Sequence, residues 1–93
     1  MDVKIIPTKE IISERVYANF FSVNHGPIDF TFIFCDVQPP VTEEEIKKLK
    51  ADQILKAPVQ VEIAVPVALV EQIIEALNKN FEIYKKTYGK DKE

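Results

Sequence analysis

The chain has 93 residues, of which 46% are hydrophobic and 29% are charged, and its net charge is −3. This composition is typical of one small globular domain and excludes an intrinsically disordered chain. Because the chain is acidic, it lacks the basic surface that phosphate binding needs. No apolar run approaches the ~20 residues that are needed to cross a bilayer. We therefore expect neither nucleic acid nor a membrane as a partner.

The first part of the chain predicts β-structure. Residues 3–6 predict a short N-terminal strand, which a proline ends because proline cannot donate to a ladder. Residues 16–24 and 30–37 predict two longer strands, and a Gly-Pro pair in residues 25–29 predicts the turn between them. Residues 16–37 are therefore expected to form a β-hairpin.

Both faces of the second hairpin strand are apolar. Alternation places Phe30, Phe32 and Phe34 on one face, and Thr31, Ile33, Cys35 and Val37 on the other. A strand that is apolar on both sides is typically covered twice. We predict that an interface forms on the hairpin, with these residues: Tyr17, Phe21, Val23, Ile33, Cys35 and Val37.

Residues 38–57 predict a variable linker that contains a short polar helix. Thr42 with Glu45 three positions later is a capping-box pattern, in which each residue satisfies a backbone amide near the other. The helix is expected over about residues 43–55. Its apolar stripe is thin, so we expect it to dock only loosely on the body or to stay partly frayed.

The last part of the chain predicts a strand and the strongest helix. Residues 59–65 alternate between apolar and polar, as in a strand with one wet face. Residues 67–88 predict a long helix with a continuous apolar stripe: Leu69, Val70, Ile73, Ile74, Leu77, Phe81, Tyr84 and Tyr88. The expected fold is a single α+β domain over residues 1–93, a two-layer structure with an antiparallel sheet of three to four strands packed against one long C-terminal helix.

The residues that could carry chemistry are few and far apart. His25 is the single histidine and Cys35 the single cysteine. The predicted turn places Cys35 opposite residues near Asn19, about six residues or roughly 20 Å along the strand from His25. That separation is too long for a nucleophile and its base. Since no His, Cys, Asp and Glu cluster has metal-ligand spacing, we predict no catalytic, cofactor-binding or metal site and no enzyme.

The cysteine content and the N-terminal sequence indicate the compartment. One cysteine cannot form a disulfide within the chain, which favours a reducing environment. The first ten residues, MDVKIIPTKE, contain no apolar run of the length of a signal peptide. We expect the protein to be cytoplasmic.

The apolar surface of the hairpin predicts a partner. Leaving two or three large side chains in water forgoes roughly 1.5–3 kcal/mol each, which is comparable with much of the stability of a small domain. Either the helix at 43–55 folds over that surface or another subunit does. Because the stripe on that helix is thin, we expect a homo-oligomer, a dimer or higher, with a further protein partner possible.

The chain resembles the DUF3467 proteins, a bacterial and archaeal family of unknown function. The resemblance covers about residues 15–89 and rests on these segments: Tyr17-Ala18-Asn19-Phe20, Asn24-His25-Gly26-Pro27 with Asp29-Phe30, a strand leading into a proline-started helix, Ala76-Leu77, Asn80, Tyr84 and Tyr88-Gly89. Gly26 stands where serine is expected, and Glu71 and Gln72 stand where the family often has basic residues. The resemblance implies a small cytosolic α+β protein and transfers no catalytic residue.

Three non-enzymatic functions are compatible with the sequence. The leading hypothesis is a self-associating interaction or adaptor domain. The second is a chaperone or a module that binds apolar peptides or small ligands, since four strands and a helix resemble the layout of SecB-like export chaperones. A nucleic-acid stacking platform built from the phenylalanines is third, because the chain lacks the basic residues that surround such platforms.

Overall fold

A computed structural model of the protein describes residues 2–8 and 14–89. The elements in chain order are β1 (Phe20–His25), β2 (Asp29–Cys35), α1 (Glu43–Asp52), β3 (Val59–Pro66) and α2 (Val67–Tyr84), and a π-helical turn (Lys85–Gly89) follows. The three strands form one antiparallel sheet in the order β1-β2-β3. This sheet, the short helix and the long C-terminal helix confirm the predicted α+β fold.

The hairpin is closed by a two-residue loop, Pro27-Ile28. The Gly26 amide donates to the Asp29 carbonyl at 2.9 Å, which fixes the first pair of the ladder. Counting back from this loop, Phe21 lies opposite Phe34 and Val23 lies opposite Phe32. Because directly paired residues project to the same side of a sheet, the loop length decides which side chains meet.

The third strand completes the sheet with one irregularity. Phe32 pairs with Ile63, and Phe34 pairs with Val61. The next pair joins Cys35 to Val59, so one residue of β3 has no paired residue on β2, and β3 has a β-bulge there. β2 is therefore the central strand, with a hydrogen-bonded neighbour on each side.

The predicted strands differ from the structure at several ends, and β2 ends at Cys35 instead of residue 37. β1 begins at Phe20 instead of residue 16, because the side chain of Asn19 takes the backbone partners that a longer strand would use. The predicted strand at residues 3–6 is wrong, since residues 2–8 form no strand and their apolar side chains are exposed. A four-residue segment next to a proline gains too few ladder bonds to order itself on a sheet.

α1 confirms the predicted capping box. The Glu45 amide donates to the Thr42 hydroxyl at 3.1 Å, and the Thr42 amide donates to Glu45 Oε1 at 3.0 Å. The helix ends three residues before the predicted residue 55, because Gln53 is left-handed with φ of 56° and stops the helical ladder. No Cα atom of α1 lies within 8 Å of another described helix or strand.

The first turns of α2 contact the sheet, and the rest of the helix extends beyond it. The Val67 amide donates to the Ile28 carbonyl at 3.2 Å, which ties the first turn to the hairpin loop. Within α2 only Val70 and Ile73 are half-buried, and the rest is exposed. The predicted helix at 67–88 is α-helical to Tyr84 and then becomes a π-helical turn.

The described chain has a very small core. Only Cys35 and Val65 are buried among the hydrophobic residues. The radius of gyration is 18.5 Å, whereas a compact chain of this length has about 12 Å. The accessible surface is 9121 Å², against about 5,500 Å² for a compact protein of the same mass. A single copy therefore leaves much of its apolar surface in water.

Candidate interaction surface

One face of the sheet is apolar on all three strands. We call it the phenylalanine face, and its members are Phe21, Val23, Phe30, Phe32, Phe34, Val61, Ile63 and Val65. The Phe21 ring lies edge-on to Phe32 at 5.8 Å between centroids and tilted against Phe34 at 5.1 Å. Phe21 is nevertheless 50% exposed, because no described element lies above it. The face is ordered by its own contacts; Val65 is buried at one end of it, whereas the part around Phe21 is open.

The other face of the sheet is mixed in polarity. Its members are Phe20, Ser22, Asn24, Thr31, Ile33, Cys35, Val59, Glu62 and Ala64. Glu62 and Asn24 are exposed and can stay hydrated there. Cys35 is buried at one end of this face. The mixed face thus has less need of a cover than the phenylalanine face.

The register divides the six predicted interface residues between different places. Phe21 and Val23 belong to the phenylalanine face, whereas Ile33 and Cys35 belong to the mixed face. Val37 lies beyond β2, and Tyr17 precedes β1 and is exposed. The six residues therefore do not share one face of the sheet, and the interface that they were expected to form stays a prediction. Alternation gives the two faces of each strand, but only the loop length tells which faces join.

Asn19 holds the open end of the hairpin, which the sequence analysis did not recognise. Its backbone amide donates to the Cys35 carbonyl at 2.9 Å. Its side chain bonds both backbone groups of Val37, accepting at 2.7 Å and donating at 3.1 Å, and also reaches Asp36 Oδ1 at 3.4 Å. The side-chain amide thus replaces one rung of the ladder. In the sequence, the available signal for this role was the position of Asn19, between Ala18 and Phe20, in a segment that carries the family resemblance.

A second apolar surface runs along the free part of α2. We call it the helix stripe, and its members are Ile74, Leu77, Phe81, Tyr84 and Tyr88. Phe81 stacks on Tyr84 with 6.2 Å between ring centroids, and Tyr84 tilts toward Tyr88 at 5.3 Å. All five side chains are exposed, so the stripe has ordered aromatic rows and no cover.

One cation borders the helix stripe. The Lys85 ammonium lies 5.0 Å from the centre of the Phe81 ring, and it also bonds Glu82 at 2.9 Å. Both charged side chains are largely exposed, so this pair contributes little to stability. The two contacts of Lys85 do place its ammonium group beside the rings of the helix stripe.

A shallow groove lies between α1 and the proline-rich segment before it. The groove has a volume of about 500 Å³, and apolar residues on its walls include Pro39, Pro40, Leu49, Ile54 and Leu55. At its edge, hydrogen bonds from the Thr42 and Val41 amides hold the pKa of the Glu45 carboxyl below its usual value. The groove is open to solvent along its length.

The remaining candidates for chemistry stay apart. His25 stacks on Phe30 with 5.4 Å between ring centroids, beside the loop. Cys35 lies five residues further along β2 than Phe30, about 17 Å away at the usual strand rise. In residues 2–8 and 14–89, no group of three His, Cys, Asp or Glu side chains is arranged to hold a metal ion. Across the same residues, no helix combines the length and the hydropathy needed to span a bilayer.

Comparison with known proteins places the chain in a family without giving it an activity. The sequence model of a family described as "Protein of unknown function (DUF3467)" matches residues 2–92, which is nearly the whole chain. No curated protein and no solved structure matches the chain significantly. Because the family model covers far more than half of the sequence, the protein is a member of the DUF3467 family.

Proposed function

We propose that this protein is a non-enzymatic, self-associating interaction domain that acts as a homo-oligomer in the cytoplasm. The observation that carries the proposal is the phenylalanine face, which is apolar on three strands while its ring at Phe21 stays 50% exposed. Monomeric soluble proteins rarely expose a contiguous apolar patch of this kind. A second copy of the same chain is the partner that is always present at sufficient concentration.

The adaptor part of the proposal assigns a second contact to residues 38–57. α1 lies apart from the sheet and from α2, and the groove beside it has apolar walls with charged residues at its edge. A segment that does not stabilise the body is free to contact another protein. Under this proposal, Leu49→Glu leaves the mass of the oligomer unchanged, because Leu49 lies outside the assembly surface.

The test of self-association compares two single-charge substitutions on one strand. Phe21→Asp places a carboxylate on the phenylalanine face, and Asn24→Asp places one on the mixed face of the same strand. Light scattering on the eluting protein measures the mass, and circular dichroism checks that each variant is folded. We expect a higher mass for the unmodified chain and for Asn24→Asp than for Phe21→Asp, which should stay folded.

Two results would contradict the proposal. The first is a monomeric unmodified chain at tens of micromolar. The second is a Phe21→Asp protein that assembles as well as the unmodified chain. Should Phe21→Asp fail to fold, Ile63→Asp places the same charge on β3 of the same face and gives the same answer.

A chaperone or apolar-ligand module is the second candidate, and the open aromatic face favours it. Such a module keeps its surface open in the native oligomer, whereas a self-association surface becomes covered as oligomers form. The fluorescence of an apolar dye, measured per chain over a hundredfold range of protein concentration, separates them. Constant fluorescence that an extended apolar peptide displaces supports the chaperone, and a steady decrease supports self-association.

A further inference from the structure

The helix stripe has the spacing of a helix–helix seam. Extended toward the sheet, it recurs at alternating intervals of three and four residues: Val67, Val70, Ile74, Leu77, Phe81, Tyr84 and Tyr88. This seven-residue repeat faces a partner helix in two-helix packing. Ile74, Leu77 and Phe81 are 53%, 65% and 58% exposed, so the described chain offers nothing that fills this role.

The residues beside the seam carry charges whose order selects a direction. Glu71, Asn78 and Lys85 each follow a seam residue directly and are seven residues apart. In an antiparallel pair of helices, this flanking position faces its own equivalent on the other helix. Glu71 then meets Lys85 of the second copy, and the two copies of Asn78 meet each other. A parallel pair would place Glu71 beside Pro66 and Lys85 beside Asn80 of the second copy, and neither of these carries a charge.

The same alignment also matches the seam residues by size. With the two-fold axis near Lys79, Ile74 lies opposite Tyr84 of the second copy, and Leu77 lies opposite Phe81. Every central layer then combines one aliphatic and one aromatic side chain, so no layer is overfilled by two rings. The pairs of opposite charge and the pairs of one aliphatic and one aromatic side chain therefore form in the same alignment of the two helices.

The uncovered surface is large enough for such a contact. The accessible surface of one chain exceeds that of a compact protein by roughly 3,600 Å², to which the phenylalanine face and the exposed residues 2–8 contribute as well as α2. A stable interface buries about 800 Å² on each partner. From this spacing, charge order and area, we propose that two copies pair through α2 as an antiparallel helix dimer with its two-fold axis near Lys79. This rests on the self-association proposed above and adds a second contact to the one at the phenylalanine face.

Distances between spin labels test the direction of the pair. Gln72, Lys79 and Lys86 are exposed and share one outward position of the heptad, so a cysteine at each carries a label without touching the seam. In the antiparallel pair the two labels at Lys79 are level, whereas those at Gln72 or Lys86 are offset along the axis by roughly 21 Å. The label distance is therefore shortest at Lys79. Cys35 is buried, and the unmodified chain measures its background labelling.

A charge exchange tests the pairing itself. Glu71→Lys or Lys85→Glu alone should weaken the dimer about tenfold at low salt, because each places like charges together at two symmetric sites. The double variant restores opposite charges and should return the dissociation constant to within about twofold of the unmodified value. Glu75→Lys, one turn further along and outside the seam, is the matched control and should have little effect.

The outcomes separate this inference from the broader proposal. A monomer at every concentration overturns both. A dimer with equal label distances at the three positions is parallel and overturns only the antiparallel pair. A dimer whose labels are all far apart, or whose charge exchange restores nothing, assembles through another surface and likewise overturns only this inference.

Discussion

Asn19 and Val37 form a rung of the hairpin in which one partner is a side chain. Oδ1 of Asn19 accepts from the Val37 amide at 2.7 Å, and Nδ2 donates to the Val37 carbonyl at 3.1 Å. Asn19→Ala removes both bonds and leaves these backbone groups to water. Since a net hydrogen bond is worth about 1 kcal/mol, we expect the free energy of unfolding to fall by about 1–2 kcal/mol in urea denaturation.

The control for this change is Asn24→Ala on the same strand. Asn24 is exposed and forms no side-chain hydrogen bond within the described residues, so its loss should change stability by less than about 0.5 kcal/mol. If the two substitutions lower the free energy of unfolding equally, water replaces the two hydrogen bonds of Asn19 without a loss of stability.

The capping box of α1 gives a prediction about local stability. Thr42→Ala removes the hydroxyl that accepts from the Glu45 amide, which should destabilise the helix by about 1 kcal/mol. Because α1 packs on no other described element, the loss should appear as faster amide exchange within α1 and not as a lower global melting temperature. Thr42→Ser keeps the hydroxyl and should exchange at the original rate; equal rates in the alanine variant would contradict the assignment.

The features that the sequence predicted correctly depend on neighbours in the chain. The Thr42–Glu45 capping box and the alternation of residues 59–65 are local patterns, and both have their expected conformations. The end of α1 was missed because a left-handed Gln53 has no distinctive signal when the residue is not glycine. Local chemistry thus sets the elements more reliably than their ends.

The candidate surface depends on relationships that alternation does not contain. That Phe21 faces Phe34 follows from the Pro27-Ile28 loop, since one more residue in the loop would turn Phe21 to the other side. The apolar stripe of α2 was predicted, but its lack of cover could not be, because periodicity does not tell what lies opposite. The sequence predicts that apolar surface is left exposed, but it does not predict which face of the sheet or of α2 carries that surface.

Acid should loosen α1 through Glu45. Hydrogen bonds from the Thr42 and Val41 amides lower the pKa of this carboxyl in the helix relative to the unfolded chain. A lowered pKa stabilises the folded helix above the unfolded value of about 4.3, and this stabilisation disappears as the pH falls through the lower folded value. Circular dichroism from pH 7 to pH 2 should show helix loss in the acid range.

Glu45→Gln isolates this contribution from the other carboxylates. The amide oxygen can still accept from the two backbone amides, but it does not titrate in this range. We expect less helix than in the unmodified chain at pH 7 and a smaller change on acidification. Identical acid titrations of the two proteins would show that Glu45 does not cause the helix loss.

The left-handed residue at the end of α1 offers a stabilising change. Gln53 has φ of 56°, a conformation that costs a residue with a Cβ about 1 kcal/mol and glycine nothing. Gln53→Gly should therefore slow amide exchange in the last turn of α1, with Gln53→Ala as the control that keeps the Cβ. A faster exchange in the glycine variant would mean that the added freedom of the unfolded chain outweighs the relieved strain.

Self-association should make thermal stability depend on concentration. If folded dimers separate into unfolded chains, a tenfold increase in protein concentration adds about 1.4 kcal/mol per dimer, because mass action favours the associated state. For a dimer of two chains of this size the melting temperature should then rise by roughly 3–6 °C for each tenfold step. Phe21→Asp, which charges the phenylalanine face, should show a smaller rise. A melting temperature of the unmodified chain that stays constant from 1 to about 100 μM would indicate that the sheet and α2 are stable without a second copy, and that their exposed apolar faces are not held together by assembly.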